Sequence, residues 1–152
     1  MNAPGSQEAH VTEKIRTLEK PLADWRGLLT DDQCAVLFKA ATEPPGSSAL
    51  NQEKRAGIFM CAACYLPLFE SASKYESGTG WPSFYAPIAD RVSTKTDFKM
   101  ILPRTEYHCA RCGGHQGHVF KDGPEPTGLR YCNNGVALRF VPEGEPLPDL
   151  RT

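Results

Sequence analysis

Six cysteines carry much of the chemistry that this sequence could perform, and four of them form two CxxC units. Cys61 and Cys64 belong to CAAC, and Cys109 and Cys112 belong to CARC. Two such units about 45 residues apart indicate a tetrahedral zinc site, because four thiolates complete the coordination shell. We therefore expect one structural Zn²⁺ per chain. Redox-active pairs and unligated thiols are the alternatives, but a redox-active CxxC should open a helix in a βαβ setting, and neither unit does.

Two histidines follow the second CxxC unit, in the stretch GGHQGHVF. A single histidine is usually a surface residue or a satisfied core residue. His115 and His118, three residues apart among three glycines, instead favour a pocket, because glycine lets the backbone bend and a ligand approach closely. Imidazoles also bind metals, but the four cysteines already complete a zinc shell. We therefore expect both rings to serve acid–base chemistry near neutral pH.

Cys132, in RYCNNG, fits neither CxxC unit. It follows a short apolar run, and Asn-Gly between apolar runs predicts a hairpin turn at residues 133–135. Side chains two apart on a strand share a face, so Arg130 should lie beside Cys132 and favour its thiolate. A thiolate is a nucleophile. The alternative is that Cys132 is a small, buried apolar residue.

One helix and a series of short strands must position these groups. The segment TDDQCAVLFKAAT begins with a capping box of Thr30 and Gln33, and its apolar residues recur with helical spacing. TEPPGSS ends the helix, because proline cannot continue it. The later runs predict antiparallel strands: GIFMC, YLPLF, WPSFY, RVSTKTD, FKMILP, EYHC, HVF, LRYC and VALRFV.

The length of 152 residues corresponds to about one domain. We expect a flexible arm over residues 1–24, a zinc-containing catalytic domain over 25–141 and a flexible tail over 142–152. The formal net charge of −1 provides no positive field for nucleic acid or an anionic membrane. The chain has neither a targeting segment nor an apolar run of membrane-spanning length, so we expect a cytoplasmic protein.

Three features together resemble the methionine-R-sulfoxide reductase family, MsrB, over about residues 25–141. They are SGTGWPSF at 77–84, CGGHQGHVFKDGPEPTGLRYCNNGVALRF at 112–140, and the two CxxC units. The resemblance implies a mainly β fold of two antiparallel sheets, the β-tent, with small N-terminal helices. It also implies a repair enzyme for oxidative damage, which reduces the R epimer of methionine sulfoxide in proteins or peptides.

The resemblance also implies roles for individual residues. Cys132 matches the nucleophile, which becomes a sulfenic acid when methionine leaves. Groups that polarise the substrate and supply protons match His115, His118 and Asn134. Trp81 matches the aromatic residue that contacts the substrate methyl, although a core tryptophan is the alternative. Phe120 and Arg130 lie in the matching pocket.

Two positions depart from the family pattern. Many members have a resolving cysteine just before GWPSF, where this sequence has Thr79, and an aromatic residue where the helix has Cys34. We expect Cys34 to resolve the sulfenic acid and thioredoxin to reduce the resulting disulfide. Direct attack by an external reductant is one alternative, and a core position for Cys34 is another. A zinc-ribbon-like binding module is the competing function, but the chain lacks the basic stripe of a nucleic-acid binder.

Overall fold

The computed structural model describes residues 15–99 and 101–152. Within them, helices α1 (Leu22–Arg26) and α2 (Asp31–Lys39) precede nine strands. Short 3₁₀ turns occur at Ala49–Gln52, Ser71–Ser73 and Gly135–Ala137. The strands are β1 (Gly57–Cys61), β2 (Pro67–Glu70), β3 (Lys74–Tyr75), β4 (Ser83–Phe84), β5 (Val92–Asp97), β6 (Arg104–Cys109), β7 (His115–Phe120), β8 (Arg130–Asn133) and β9 (Leu138–Pro142).

The strands form two antiparallel sheets, as the family resemblance implied. The small sheet has the order β2-β1-β9, and the large sheet has the order β3-β4-β8-β7-β6-β5. An aromatic cluster joins them. Phe69 of the small sheet stacks on Phe84 of the large sheet at 4.1 Å between ring centroids, and Phe59 contacts the same ring edge-on at 5.0 Å. All three rings are fully buried, and each contributes about 1.5–3 kcal/mol by leaving water.

Helix α2 begins as its sequence predicted. The Thr30 hydroxyl accepts a hydrogen bond from the Gln33 backbone N–H at 3.1 Å, and the Gln33 side chain accepts one from the Thr30 N–H at 2.9 Å. This reciprocal pair confirms the capping box. The helix ends at Lys39, and the next residue, Ala40, adopts a left-handed conformation with φ of 55°. The buried face of α2 carries Cys34, Val36 and Leu37.

The predicted hairpin at residues 133–135 is wrong. Strands β8 and β9, on either side of this segment, belong to different sheets. The Glu43 carboxylate explains the difference, because it accepts hydrogen bonds from the backbone N–H groups of Gly135 at 2.8 Å and Val136 at 2.9 Å. These bonds hold the segment as a 3₁₀ turn that carries the chain from one sheet to the other.

The strand predicted from FKMILP is also wrong. Residues 98–99 and 101–103 belong to the connection between β5 and β6, whose ladder closes at the pair of Asp97 and Arg104. The side chains of Phe98, Ile101 and Leu102 are 76%, 99% and 77% exposed, because no strand in the described part of the chain covers them.

The two ends of the chain differ in what the structure describes. Most of the predicted flexible arm, residues 1–14, lies outside the described residues. Near the other end, the backbone N–H of Arg151 donates to the Cys64 carbonyl at 3.0 Å, and its guanidinium donates to the Ala63 carbonyl at 3.1 Å. No helix within residues 15–99 and 101–152 combines the length and apolar character needed to cross a bilayer.

Candidate active site and metal centre

A cleft of about 240 Å³ on the large sheet brings together most of the predicted site residues. Cys132 on β8 and His118 on β7 are direct partners in the antiparallel ladder, so their side chains share the face that lines the cleft. Other predicted residues lining the cleft are Trp81, Phe120, Arg130 and Asn134. Thr79 and Arg104 line it as well. A cleft of this size accommodates one side chain rather than a large ligand.

The environment of Cys132 has opposing effects on its thiol. Burial raises the pKa of Cys132 above its ordinary value, and this is the largest effect. The charge of Arg130 and hydrogen bonds from Thr79 and Arg130 lower the pKa in part. Arg130 therefore acts on the pKa of Cys132 in the direction expected, but burial outweighs its effect.

Arg130 is held in place from two sides. Its Nε and Nη2 atoms donate to the two carboxylate oxygens of Asp122, at 2.9 and 3.1 Å. The guanidinium also lies over the Phe120 ring, 4.4 Å from the centroid. A forked ion pair and a cation–π contact together restrict the side chain. The positive charge therefore stays beside the thiol.

His118 is oriented by a carboxylate that the sequence did not reveal. Its Nε2 atom lies 3.0 Å from the Oδ2 atom of Asp97, which also accepts a hydrogen bond from Arg104 at 3.2 Å. The pKa of Asp97 lies below its usual range, first because the Lys99 backbone N–H donates to it and then because of His118. Asp97 is therefore a carboxylate at neutral pH and fixes the orientation of the imidazole ring.

His115, in contrast, lies behind the cleft rather than in its lining. Its side chain is almost fully buried, and its ring centroid is 5.5 Å from that of His118. Burial, followed by the charges of His118 and His108, lowers the pKa of His115 to about 4. The ring is therefore neutral at pH 7, and its position allows it to act on a substrate only through His118.

The side chain of Asn134 forms hydrogen bonds with backbone groups of the fold. Its Oδ1 atom accepts a hydrogen bond from the Glu43 backbone N–H at 3.0 Å, and its Nδ2 atom donates to the Gln116 carbonyl at 3.0 Å. The indole Nε1 atom of Trp81 donates to the Glu43 carbonyl at 3.1 Å. Glu43 thus connects Trp81 and Asn134 to one backbone segment. Glu43 belongs to the TEPPG motif, and nothing in that motif indicated that Glu43 would position Trp81 and Asn134.

Gly117 allows β7 and β8 to approach each other. A Cβ atom at this position would overlap the backbone carbonyl oxygen of Cys132. The sequence predicted that the glycines admit a ligand, but Gly117 makes room for the neighbouring strand as well. The close approach places His118 directly beside Cys132.

The four cysteines of the CxxC units cluster as predicted. The Sγ atoms of Cys61 and Cys112 are 3.7 Å apart, and those of Cys64 and Cys109 are 3.5 Å apart. Around a tetrahedral ion with Zn–S bonds of ~2.3 Å, sulfur atoms lie about 3.8 Å apart. Burial raises the pKa of the Cys61 thiol well above its usual value. The four sulfur atoms are therefore placed to bind a cation, which would hold the cysteines as thiolates.

A chain of buried hydrogen bonds connects the cysteine cluster to β8. Gln116 donates to the Cys61 sulfur at 3.5 Å and accepts from the Asn133 side chain at 3.0 Å. The Tyr107 hydroxyl donates to the Asn133 Oδ1 atom at 2.7 Å. Asn133 directly follows Cys132, so the cysteine cluster supports the strand that carries Cys132. No local sequence pattern indicated a role for Gln116, Asn133 or Tyr107.

Comparison with known proteins agrees with this geometry. The SelR domain model matches residues 29–142. The chain is 50% identical to "Peptide methionine sulfoxide reductase MsrB" of Pseudomonas putida (strain W619), over 84% of this chain and 97% of that protein. The chain belongs to the MsrB family. It is also 52% identical to the MsrB protein of Methanosarcina mazei, over 83% of this chain and 91% of that protein. The chain is 53% identical to the MsrB protein of Caulobacter vibrioides, over 80% of this chain and 77% of that protein.

Within this MsrB fold, Thr79 and Cys34 occupy different environments. Thr79 lines the cleft, and its hydroxyl contacts Cys132. Cys34 lies on the buried face of α2, is 5% exposed and packs into the hydrophobic core. It does not line the cleft. The structure therefore does not bring the predicted resolving thiol into the cleft beside Cys132, and a Cys34–Cys132 disulfide requires part of the N-terminal region to move.

Proposed function

We propose that this protein is a peptide methionine sulfoxide reductase specific for the R epimer. The observation that supports this most strongly is the pairing of Cys132 with His118 inside a cleft walled by Trp81 and Phe120. Its MsrB relatives in Pseudomonas putida and Methanosarcina mazei carry the name peptide methionine sulfoxide reductase, which supports the reaction type. Oxidised methionine in peptides and proteins is the substrate.

The reaction transfers the sulfoxide oxygen to Cys132. The Cys132 thiolate attacks the sulfoxide sulfur and forms an S–S bond, while the sulfoxide oxygen receives a proton from His118, whose ring is oriented by Asp97. The S–S bond then breaks as the hydroxyl group passes from the substrate sulfur to the Cys132 sulfur. Methionine leaves with its sulfur reduced, and Cys132 becomes a sulfenic acid. Sulfoxide, thiolate and one proton thus yield sulfide and sulfenic acid.

The remaining cleft residues select and orient the substrate. The Trp81 ring receives the S-methyl group, because aromatic faces make favourable contacts with sulfur and methyl groups. Phe120 forms a second apolar wall, and Arg130 lowers the pKa of the nucleophile. Asn134 shapes the cleft through its bonds to the backbone rather than by donating to substrate. His115 assists through its contact with His118.

Cys34 is the proposed resolving thiol, and thioredoxin is the proposed reductant. The Cys34 thiol displaces hydroxide from the sulfenic acid, which leaves as water, and thioredoxin reduces the resulting disulfide by thiol exchange. The threonine hydroxyl beside Cys132 cannot form such a bond. Because Cys34 is buried, this step requires local opening of the N-terminal region. Direct reduction of the sulfenic acid in the open cleft is the second route.

The four-cysteine cluster holds one structural Zn²⁺ in this proposal, because four thiolates at tetrahedral spacing favour zinc and leave no open position. Reduced, metal-bound cysteines suit the cytoplasm. The chain needs no nucleic acid or membrane for this function. A zinc-ribbon-like binding module is the competing function, but binding alone would not require a thiol paired with a carboxylate-oriented histidine.

Epimer selectivity tests the proposed function. Purified protein with dithiothreitol should convert peptide methionine-R-sulfoxide to methionine and leave the S epimer unchanged, as measured by chiral chromatography of each epimer. Cys132→Ser is the matched control and should convert neither epimer. Conversion of the S epimer, with or without the R epimer, or of neither epimer by the unaltered protein, would contradict the proposal.

A further inference from the structure

Three side chains converge behind the cleft, away from the four cysteines. Glu106, His115 and His118 each place one donor atom within 4.8 Å of the other two. Glu106 and His118 are direct partners on β6 and β7, so their side chains share one face of the sheet. The exposed fractions of Glu106, His115 and His118 are 5%, 2% and 9%. Two imidazoles and one carboxylate are a donor set that proteins use for zinc and iron.

Neighbouring groups already hold two of these side chains in the manner typical of metal ligands. The His118 Nε2 atom lies 3.0 Å from Asp97, which leaves Nδ1 as the second ring nitrogen. The His108 Nε2 atom lies 2.7 Å from the Glu106 Oε1 atom. Histidine ligands usually bond a carboxylate through their other nitrogen, and carboxylate ligands are themselves hydrogen-bonded. The surroundings of a metal site are therefore present in the protein itself.

His115 provides an independent observation. Its Nδ1 atom is fully buried and has no hydrogen-bond partner within the described residues. Most buried ring nitrogens are paired, so such an atom indicates a water or an ion as its partner. The pKa of His115 is lowered to about 4, mainly by burial, so the ring is neutral and able to act as a ligand at pH 7.

A second cavity connects this cluster to the surface. It measures about 530 Å³ and is lined by Glu106, His108 and His115, among others. Lys95 and Lys39 also line it, and the Lys95 Nζ atom lies 3.8 Å from Glu106. A cation entering here meets a carboxylate that Lys95 only partly neutralises, because the lysine side chain is 68% exposed.

We propose that Glu106, His115 and His118 form a second cation site, which binds Zn²⁺ through one carboxylate oxygen and two imidazole nitrogens. Donors around a tetrahedral zinc with bonds of ~2.0 Å lie about 3.3 Å apart, so the three side chains close around the ion by small rotations. Bound Zn²⁺ occupies the nitrogen of His118 that is free of Asp97. The cation therefore inhibits proton transfer, a consequence that rests on the proposed role of His118.

Equilibrium dialysis against Zn²⁺ tests the site directly. The protein should be Cys132→Ser with its cysteine-bound zinc retained, so that the nucleophile cannot act as a ligand. We expect this variant to bind one additional zinc per chain. Adding Glu106→Gln should weaken that binding by at least about tenfold. Glu76→Gln, which removes an exposed carboxylate elsewhere, is the control and should leave the affinity unchanged. Undiminished binding in the Glu106→Gln variant would overturn the site.

Nitrogen NMR of the Cys132→Ser protein with labelled histidine gives a result that does not depend on how Glu106→Gln folds. Zn²⁺ should shift the ring-nitrogen signals of both His115 and His118 at the same zinc concentration. If the protein is saturated with Zn²⁺ and the ring-nitrogen signals of His115 and His118 do not shift, the proposal is overturned.

Inhibition is measured in single turnover without thiol reductants, which would chelate the ion. Zn²⁺ should slow methionine release by the unaltered protein and affect Glu106→Gln at least about tenfold less. If Zn²⁺ binds through Glu106 but the rate of methionine release stays unchanged, the cation site is supported and the proton-donor role of His118 is contradicted. The cation site and the proposed function can therefore be rejected independently.

Discussion

Cys132 and His118 lie directly opposite each other on adjacent antiparallel strands. Residues paired in this way have Cβ atoms about 4.5–5.5 Å apart, which is the range in which two side chains can act on one small group. The sheet ladder therefore sets the separation between the proposed nucleophile and the proposed proton donor. Asp97, on β5, holds the imidazole at this position.

The His118→Ala variant should slow the chemical step by about 10²–10⁴-fold, because proton donation to the departing oxygen matters mainly in the transition state. Single-turnover rates at saturating substrate measure this effect. The apparent affinity for substrate should change little. An unchanged rate would remove His118 from the mechanism. Asp97→Asn should slow the chemical step less than His118→Ala, because it keeps the imidazole ring of His118 and removes only the carboxylate charge that orients the ring.

The Arg130→Gln variant should raise the pKa of Cys132 further, because the guanidinium charge lowers that pKa and burial raises it. The rate of Cys132 alkylation by iodoacetamide, followed by peptide mass spectrometry, reports the fraction of thiolate at each pH. The pH profile should move to higher pH in the variant. A profile that stays in place or moves to lower pH would exclude this role for Arg130.

The Cys34→Ser variant should still release one methionine per enzyme and retain turnover with dithiothreitol, because the first step needs only Cys132 and its proton donor. Turnover with thioredoxin should fall strongly, since thioredoxin acts on disulfides by thiolate exchange. Mass spectrometry after one turnover should show a Cys34–Cys132 bond in the unaltered protein. Full thioredoxin-dependent activity in the variant would establish direct reduction of the sulfenic acid instead.

Combining Cys61→Ser with Cys109→Ser should release the structural zinc and strongly destabilise the fold, because metal binding contributes free energy to folding. Elemental analysis should find one zinc per chain in the unaltered protein, after dialysis that removes weakly bound ions, and none in the variant. Loss of the ion should also lower activity, since Gln116 connects Cys61 to the strand that carries Cys132. Stoichiometric zinc in the double variant would contradict the ligand assignment.

Local patterns predicted the parts of the fold that depend on neighbouring residues. The capping box of Thr30 and Gln33 lies within one turn of helix, and each pair of cysteines joins the end of a strand to the turn that follows it. Most strands were also recognisable, because alternating apolar residues are a local property. The roles proposed for Cys132, His115 and His118 came from resemblance to a family rather than from pattern alone.

Contacts between distant residues could not be predicted in the same way. The Asn-Gly signal at residues 133–135 was overridden by Glu43, which is 92 residues from Gly135 in the chain. Asp97 is 21 residues from His118, and no local pattern joins the two. His115 and His118 share one short motif, yet only His118 lines the cleft. Strand pairing and the connections between sheets decide such differences.

The most direct test is a single turnover without reductant, followed by mass spectrometry of intact protein and peptides. We predict one methionine released per chain from methionine-R-sulfoxide. In Cys34→Ser, which cannot form the disulfide, we predict one added oxygen atom located on Cys132. Methionine release with the oxygen on another residue, or undiminished release by Cys132→Ser, would contradict the assignment of Cys132 as the nucleophile opposite His118.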